Sequence, residues 1–451
     1  MLPHRAPTQP AFRTTVVTFL IVSLALILLP ASAYAQQPDG VPDEPIPPIY
    51  LPYINGNDAR AVAQDGAEPE TPGDDAVRQM PGVDLPFLGR HVLDLPKRPV
   101  TAPGRPGSTP IKLLIDTDPG VDDAIALTWL LSQSRANVMP LGIVTVAGNT
   151  NVLAATNNAL IVLNKLQQTV PVVMGAAAPL AQPLSKTSWL IHGPDGLWFL
   201  GLQNPQDPSG VLFNANDFYC ETLADNPGST LLALGPLTNV ANALAACPET
   251  MQTLGRVVVL GGAKYGGNKT PVAEFNFWQD PEAADIVLSS GLPLSIVPYD
   301  TFIVPRVDMA QIQSLSHSRN PAVRFLAPAL QQYVAVQIDN TGSATIPDAV
   351  AAVYAVDPAI GTTESSLVQM VLAAGQTRGE SVIALSVSER VAMIADDAEL
   401  SALAERAFTD PNFNLQYELV SILIREPDNA QMLTGVPANL LTRFVLSSLR
   451  R

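Results

Sequence analysis

Leu113-Leu114-Ile115-Asp116-Thr117-Asp118-Pro119-Gly120-Val121-Asp122-Asp123-Ala124 is the stretch on which the fold turns. Leu113 to Ile115 is a short continuous apolar run, the pattern of a strand buried on both faces. It feeds through a Gly-containing turn into the amphipathic stretch Asp122 to Leu131. The same signals recur downstream. Leu141 to Val146, Pro171 to Met174, Thr230 to Leu234, Val257 to Leu260 and Leu294 to Val297 read as strands, and Asn151 to Leu166, Asn239 to Ala246 and Glu282 to Ser290 as helices. Buried strands alternating with helices predict an α/β fold with a doubly wound, mostly parallel sheet flanked by helices. Ligands of such sheets bind beyond the carboxyl ends of the strands, so polar residues directly after a strand are the ones to explain.

The quoted stretch places four carboxylates, Asp116, Asp118, Asp122 and Asp123, within eight residues across the start of a helix. Such density is costly unless a cation or the helix N-terminus offsets the repulsion. Calcium takes about 6 to 8 oxygen ligands in irregular geometry, so a loop and the first turn of a helix can share one ion. An EF-hand loop fails here, because Gly120 stands at a ligand position and Leu127 where the closing Glu belongs. A phosphoryl-transferring loop would use Asp116 as nucleophile and Asp118 as acid with Mg²⁺, which leaves Asp122 and Asp123 without a task. Helix capping alone accounts for one or two of the four.

Outward from this loop, the 451 residues carry 41 Asp and Glu against 25 Lys and Arg, a net charge of −16. That balance argues against a nucleic-acid partner, which clustered Lys and Arg would serve. It suits a metal ion or a small ligand. His4, Arg5 and Arg13 precede an apolar run from Val16 to Leu29, followed by Ala33-Tyr34-Ala35. This reads as a signal peptide over 1–35, cleaved after Ala35, with an uncleaved anchor as the alternative. The expected location is therefore secreted or cell envelope, with no membrane association of the mature form unless the segment is retained. Residues 36–110 are rich in Pro, Gly, Asp and Ala without sustained apolar period and read as a disordered linker. The catalytic domain is expected over 111–451. Cys220 and Cys247 lie on predicted helices flanking one strand; an exported protein could join them, and two buried thiols serve equally well.

Asp116 to Leu127 resembles the signature of the inosine-uridine-preferring nucleoside hydrolase family. Val146-Ala147-Gly148-Asn149, His192-Gly193-Pro194-Asp195-Gly196-Leu197, Leu234-Gly235-Pro236-Leu237-Thr238-Asn239, Asn268 with Ala273-Glu274-Phe275-Asn276, Asp280-Pro281-Glu282-Ala283-Ala284 and Pro347-Asp348-Ala349 resemble further family segments in the family's order. The resemblance implies the family's Rossmann-like fold and calcium-dependent hydrolysis of the N-glycosidic bond of ribonucleosides. It also implies a homo-oligomer. By position, Ca²⁺ would be held by Asp118, Asp123, the backbone carbonyl of Leu234 and Asp348, and Asp118 would also take a proton from the attacking water. Asp122, Asn149, Asn268, Glu274 and Asn276 would grip the ribose hydroxyls. The chemistry suits such a set, because cleavage builds oxocarbenium character on the sugar and carboxylates stabilise it.

The pattern departs from the family at one place. Members preferring inosine and uridine commonly carry a histidine before the last metal-binding aspartate, and here that position is Pro347. His192 is then the candidate acid or hydrogen-bond donor to the leaving base, while Trp189, Trp198, Trp278 and Tyr333 are aromatic residues of open role. The departure leaves room for a hydrolase of another N-ribosyl compound, or for an inactive ribose- or nucleoside-binding protein.

Overall fold

The computed structural model describes residues 110–132, 138–338 and 341–450. The expected signal segment, and all but the last residue of the expected linker, lie outside them. The strands are β1 (Ile111–Thr117), β2 (Val138–Thr145), β3 (Val172–Met174), β4 (Thr230–Ala233), β5 (Arg256–Leu260), β6 (Leu294–Val297), β7 (Val307–Asp308), β8 (Ser343–Ala344), β9 (Thr362–Met370), β10 (Ser381–Ala384) and β11 (Ala430–Gly435). Nine of them form one sheet in the order β10-β9-β11-β6-β5-β4-β1-β2-β3, and β7 pairs with β8 in a small separate ribbon.

β1 pairs in parallel with both β2 and β4, and the parallel register continues through β5 and β6 to β11. Only the edge departs, where β9 runs antiparallel to β11 and to β10. The strand order 3-2-1-4-5-6 reverses between β1 and β4, and a doubly wound sheet opens a crevice at that reversal, beyond the carboxyl ends of those two strands.

The helix Val121–Ser132 has no polar face. Every residue from Val121 to Leu130 is buried, including Asp122 and Asp123 in its first turn. It packs against the helices Val152–Leu166, Pro321–Gln337 and Pro347–Val356 on one side of the sheet. A second apolar layer on the other side joins Leu114 and Val144 to Tyr219, Val240, Val257 and Val287. Alternation along β1 therefore sends Leu114 and Asp116 to one face and Leu113 and Ile115 to the other.

Two features fix helices at their ends. The sulfurs of Cys220 and Cys247 are bonded, joining the helix Ala215–Asp225 to the end of the helix Thr238–Ala246. At the amino ends of the strands, opposite the crevice, Arg256 opens β5 only 2% exposed. Its guanidinium lies 4.4 Å from the Tyr354 ring and donates to the carbonyls of Tyr354 and Ala355 at 3.3 and 3.4 Å, the last turn of the helix Pro347–Val356. A cation there complements the negative end of the helix.

Candidate active site

The crevice between β1 and β4 is walled by carboxylates. Asp118, Asp122, Asp123 and Asp348 are all buried. Asp118 follows β1 directly, Asp122 and Asp123 occupy the first turn of the next helix, and Asp348 follows Pro347 in the first turn of the helix Pro347–Val356. Pro347 supplies the preset φ that suits the first helical position, and so helps to start the helix that carries Asp348. One oxygen each from Asp122, Asp123 and Asp348 lie within 4.8 Å of one another.

Each carboxylate has a distinct set of partners. Asp123 accepts from Thr117 Oγ1 at 2.5 Å, from Gly120 N at 3.0 Å and from Asn149 Nδ2 at 2.9 Å. Asp118 Oδ2 accepts from Asn149 N at 2.6 Å, so Asn149 bridges Asp118 and Asp123. Asp122 accepts from Tyr333 OH at 2.8 Å, and His192 Nδ1 stands 3.6 Å from its other oxygen. Oδ1 of Asp118 and Oδ1 of Asp348 are buried without a hydrogen-bond partner. Burial, then Asp123, pushes the Asp118 carboxyl well above the usual range, and burial, then Asp122 and Asp123, does the same to Asp348. Crowded acids with orphaned oxygens meet the demand of a hard divalent cation for several oxygen donors.

The closeness of Asp118 to its walls depends on two glycines. A Cβ on Gly148 would stand 2.0 Å from Asp118 Oδ2, and one on Gly235 would stand 2.7 Å from Oδ1. The loops after β2 and β4 therefore close on the carboxylate from both sides, and only residues without a side chain fit.

His192 ends the short helix Trp189–His192 and is buried. Its Nδ1 accepts from Val121 N at 3.2 Å, which leaves Nε2 as the protonated nitrogen of the neutral ring. The loop beyond it is organised by Asp195, whose carboxylate accepts from the N–H groups of Leu197, Phe199 and Leu202. Asn158 Nδ2 donates to the carbonyls of both Pro119 and Asp195, tying that loop to the acidic one.

The remaining sugar-binding candidates divide. Asn276 is buried and donates to the Leu234 carbonyl at 2.6 Å and to the Leu260 carbonyl at 3.0 Å, so it joins the loops after β4 and β5. The Leu234 carbonyl, a candidate metal ligand, thus already accepts one bond. Glu274 caps the helix Phe275–Gln279, accepting from the N–H groups of Asn276, Phe277 and Gly262. Burial nevertheless pushes its carboxyl up to about 7. Asn268 is the outlier: it is exposed, and its Oδ1 accepts from Phe275 N at 2.8 Å.

Two arrangements were not foreseen. Asp122, expected on the sugar, lies in the three-carboxylate group that Asp118 borders, and Tyr333 is the phenol that holds it, with the Tyr333 and His192 rings 5.3 Å apart. Asp116, the nucleophile a phosphoryl-transfer loop would need, is wholly buried and points into the opposite layer, where Tyr219 and Asn239 hold it.

Comparison with known proteins agrees with this geometry. The family model described as inosine-uridine preferring nucleoside hydrolase matches residues 113–414. A pyrimidine-specific ribonucleoside hydrolase of Shewanella sp. (strain ANA-3) is 32% identical over 298 residues, covering 64% of this chain and 90% of that protein. A probable uridine nucleosidase of Oryza sativa subsp. japonica is 38% identical over 225 residues, covering 49% of this chain and 68% of its own length. Among solved structures, a plant nucleoside hydrolase superposes with a TM-score of 0.62 at 26% identity, covering 76% of this chain and 99% of that one. A purine-preferring ribonucleoside hydrolase from Gardnerella vaginalis gives 0.61 at 25% identity, covering 75% and 98%. With the matched segment spanning both walls of the crevice, the chain belongs to the inosine-uridine preferring nucleoside hydrolase family.

Proposed function

We propose that the protein is a calcium-dependent nucleoside N-ribohydrolase that uses water to split a ribonucleoside into ribose and free base. The observation that carries this reading is the buried convergence of Asp122, Asp123 and Asp348 next to Asp118 and His192 at the switch point of the sheet. Ca²⁺ held by Asp118, Asp123, Asp348 and the Leu234 carbonyl, with Asp122 beside it, would supply Lewis-acid activation of water and a template for two ribose hydroxyls.

The chain's own residues perform the rest. Asp118, walled by Gly148 and Gly235, takes the proton of the attacking water. Asn149 fixes the relative positions of Asp118 and Asp123, and its amide oxygen is assigned to a ribose hydroxyl. Asp122, Glu274 and Asn276 bind ribose hydroxyls and stabilise positive charge growing on the ring. His192, with Nδ1 engaged by Val121 N–H, offers an Nε2–H hydrogen bond to the departing base in place of the histidine that Pro347 replaces.

The acidic N-terminally apolar chain is further proposed to act outside the cytoplasm or at the cell envelope as a homo-oligomer, on free nucleosides rather than nucleic acid. Colorimetric release of reducing sugar from uridine, cytidine, inosine and adenosine tests the reading. Ribose should appear with Ca²⁺, vanish with chelator and return on adding Ca²⁺. Tight nucleoside binding without ribose release would favour a silent binding protein.

A further inference from the structure

Behind the acidic loop lies a second buried polar cluster that touches neither the carboxylate group nor His192. Asp116 Oδ2 accepts from Tyr219 OH at 2.7 Å and from Asn239 Nδ2 at 2.9 Å. All three side chains are buried. Asn239 has a wider reach: its Nδ2 also donates to the carbonyl of Thr145, the last residue of β2, and its Oδ1 accepts from Ala176 N beyond β3. One amide at the start of the helix after β4 thus fastens the carboxyl ends of β1, β2 and β3. A buried carboxylate is expensive, and Asp116 Oδ1 has no hydrogen-bond partner, so the two bonds to Oδ2 are what hold the group and the segments it joins in one arrangement.

The two donors come from different helices, Tyr219 from Ala215–Asp225 and Asn239 from Thr238–Ala246. The disulfide joins these same two helices. Cys220 is the residue after Tyr219, and Cys247 caps the helix that carries Asn239 in its first turn. The bond closes a span of 27 residues that contains β4. Both cysteines are half-buried.

We propose that Asp116, Tyr219 and Asn239 are positioning residues that set the placement of Asp118, and that the Cys220–Cys247 bond holds their two helices together. The consequence for catalysis rests on the reading of Asp118 given above; the consequence for the loop does not. None of the three side chains is hydrogen-bonded to the crevice carboxylates or to His192. They act through β1, whose next residues are Thr117, which donates to Asp123, and Asp118.

The test compares wild type, Tyr219→Phe, the Cys220→Ser and Cys247→Ser double variant, and their combination. Hydrogen–deuterium exchange of peptides covering 116–123 is the primary readout, with Ca²⁺ titration by calorimetry and kcat and KM for uridine beside it. Faster exchange in 116–123 is expected in each variant, with Ca²⁺ affinity and kcat down about tenfold and KM changed less. The combined variant should lose less than the product of the separate losses, because both act on one brace. Lower melting temperatures with unchanged exchange in 116–123 would overturn the brace. Should wild type neither bind Ca²⁺ nor release ribose, the hydrolase reading fails, and the exchange data still decide the brace.

Discussion

Replacing Asp348 by Asn should move stability and metal binding in opposite directions. At the 4.8 Å that bounds the separations among Asp122, Asp123 and Asp348, two unit charges repel by about 3.5 kcal/mol at an effective dielectric constant near 20. Asp348→Asn removes two such pairs, a gross repulsion of about 7 kcal/mol at that separation when all three are ionised. The molecule already avoids much of it, because burial and its two neighbours raise the Asp348 carboxyl well above its ordinary range, and a bound proton relieves the repulsion. A neutral isostere should therefore stabilise the calcium-free protein by about 1 to 3 kcal/mol. Calorimetric melting without and with Ca²⁺ checks both halves. Wild type should melt higher with Ca²⁺, by the equivalent of about 2.7 kcal/mol when the ion is at a hundred times its Kd. Asp348→Asn should melt a few degrees above wild type without the ion and gain nothing from adding it. A variant that kept the full Ca²⁺-dependent shift and wild-type ribose release would refute the assignment of Asp348 to the ion.

His192→Ala should cut kcat by about 10² to 10⁴-fold while Ca²⁺ affinity measured by titration stays near wild type, since the proposed role of the ring is to donate to the leaving group and not to ligate the ion. Gly148→Ala puts a methyl 2.0 Å from Asp118 Oδ2, so circular dichroism should show a folded protein whose ribose release is lost. The Glu274 carboxyl, raised from 4.5 to about 7 by burial, binds its proton more tightly folded than unfolded. Its contribution to stability is thus full below about pH 4.5 and lost as pH rises through about 7, a swing of about 3 kcal/mol. Melting of calcium-free protein across that window should show the decline, and Glu274→Gln should flatten it.

The parallel part of the fold was legible because its strands are continuous apolar runs, Leu113–Ile115 and Val257–Leu260 among them, alternating with helix-like stretches; the expected amphipathic face of the first helix is absent, since Val121 to Leu130 are all buried. β9 was not: Thr362-Thr363-Glu364-Ser365-Ser366 is polar and half exposed, and it finds its place only by pairing with β11. At the site, the density of Asp residues after β1 announced a cation by itself. Asp348 lies far along the chain, and only the family pattern could bring it in. Tyr333 left no local signal, since its role arises from a helix crossing above Asp122. Asn268 shows the reverse, a motif residue whose side chain serves the backbone at Phe275.

The helix Pro347–Val356 carries an acid at its first turn and receives Arg256 at its last, over 10 residues, or about 15 Å. Durability and chemistry are thereby lodged at opposite ends of one rod. Substitutions around Arg256 and Tyr354 offer an engineer a place to harden or loosen the protein while the reacting groups stay as they are.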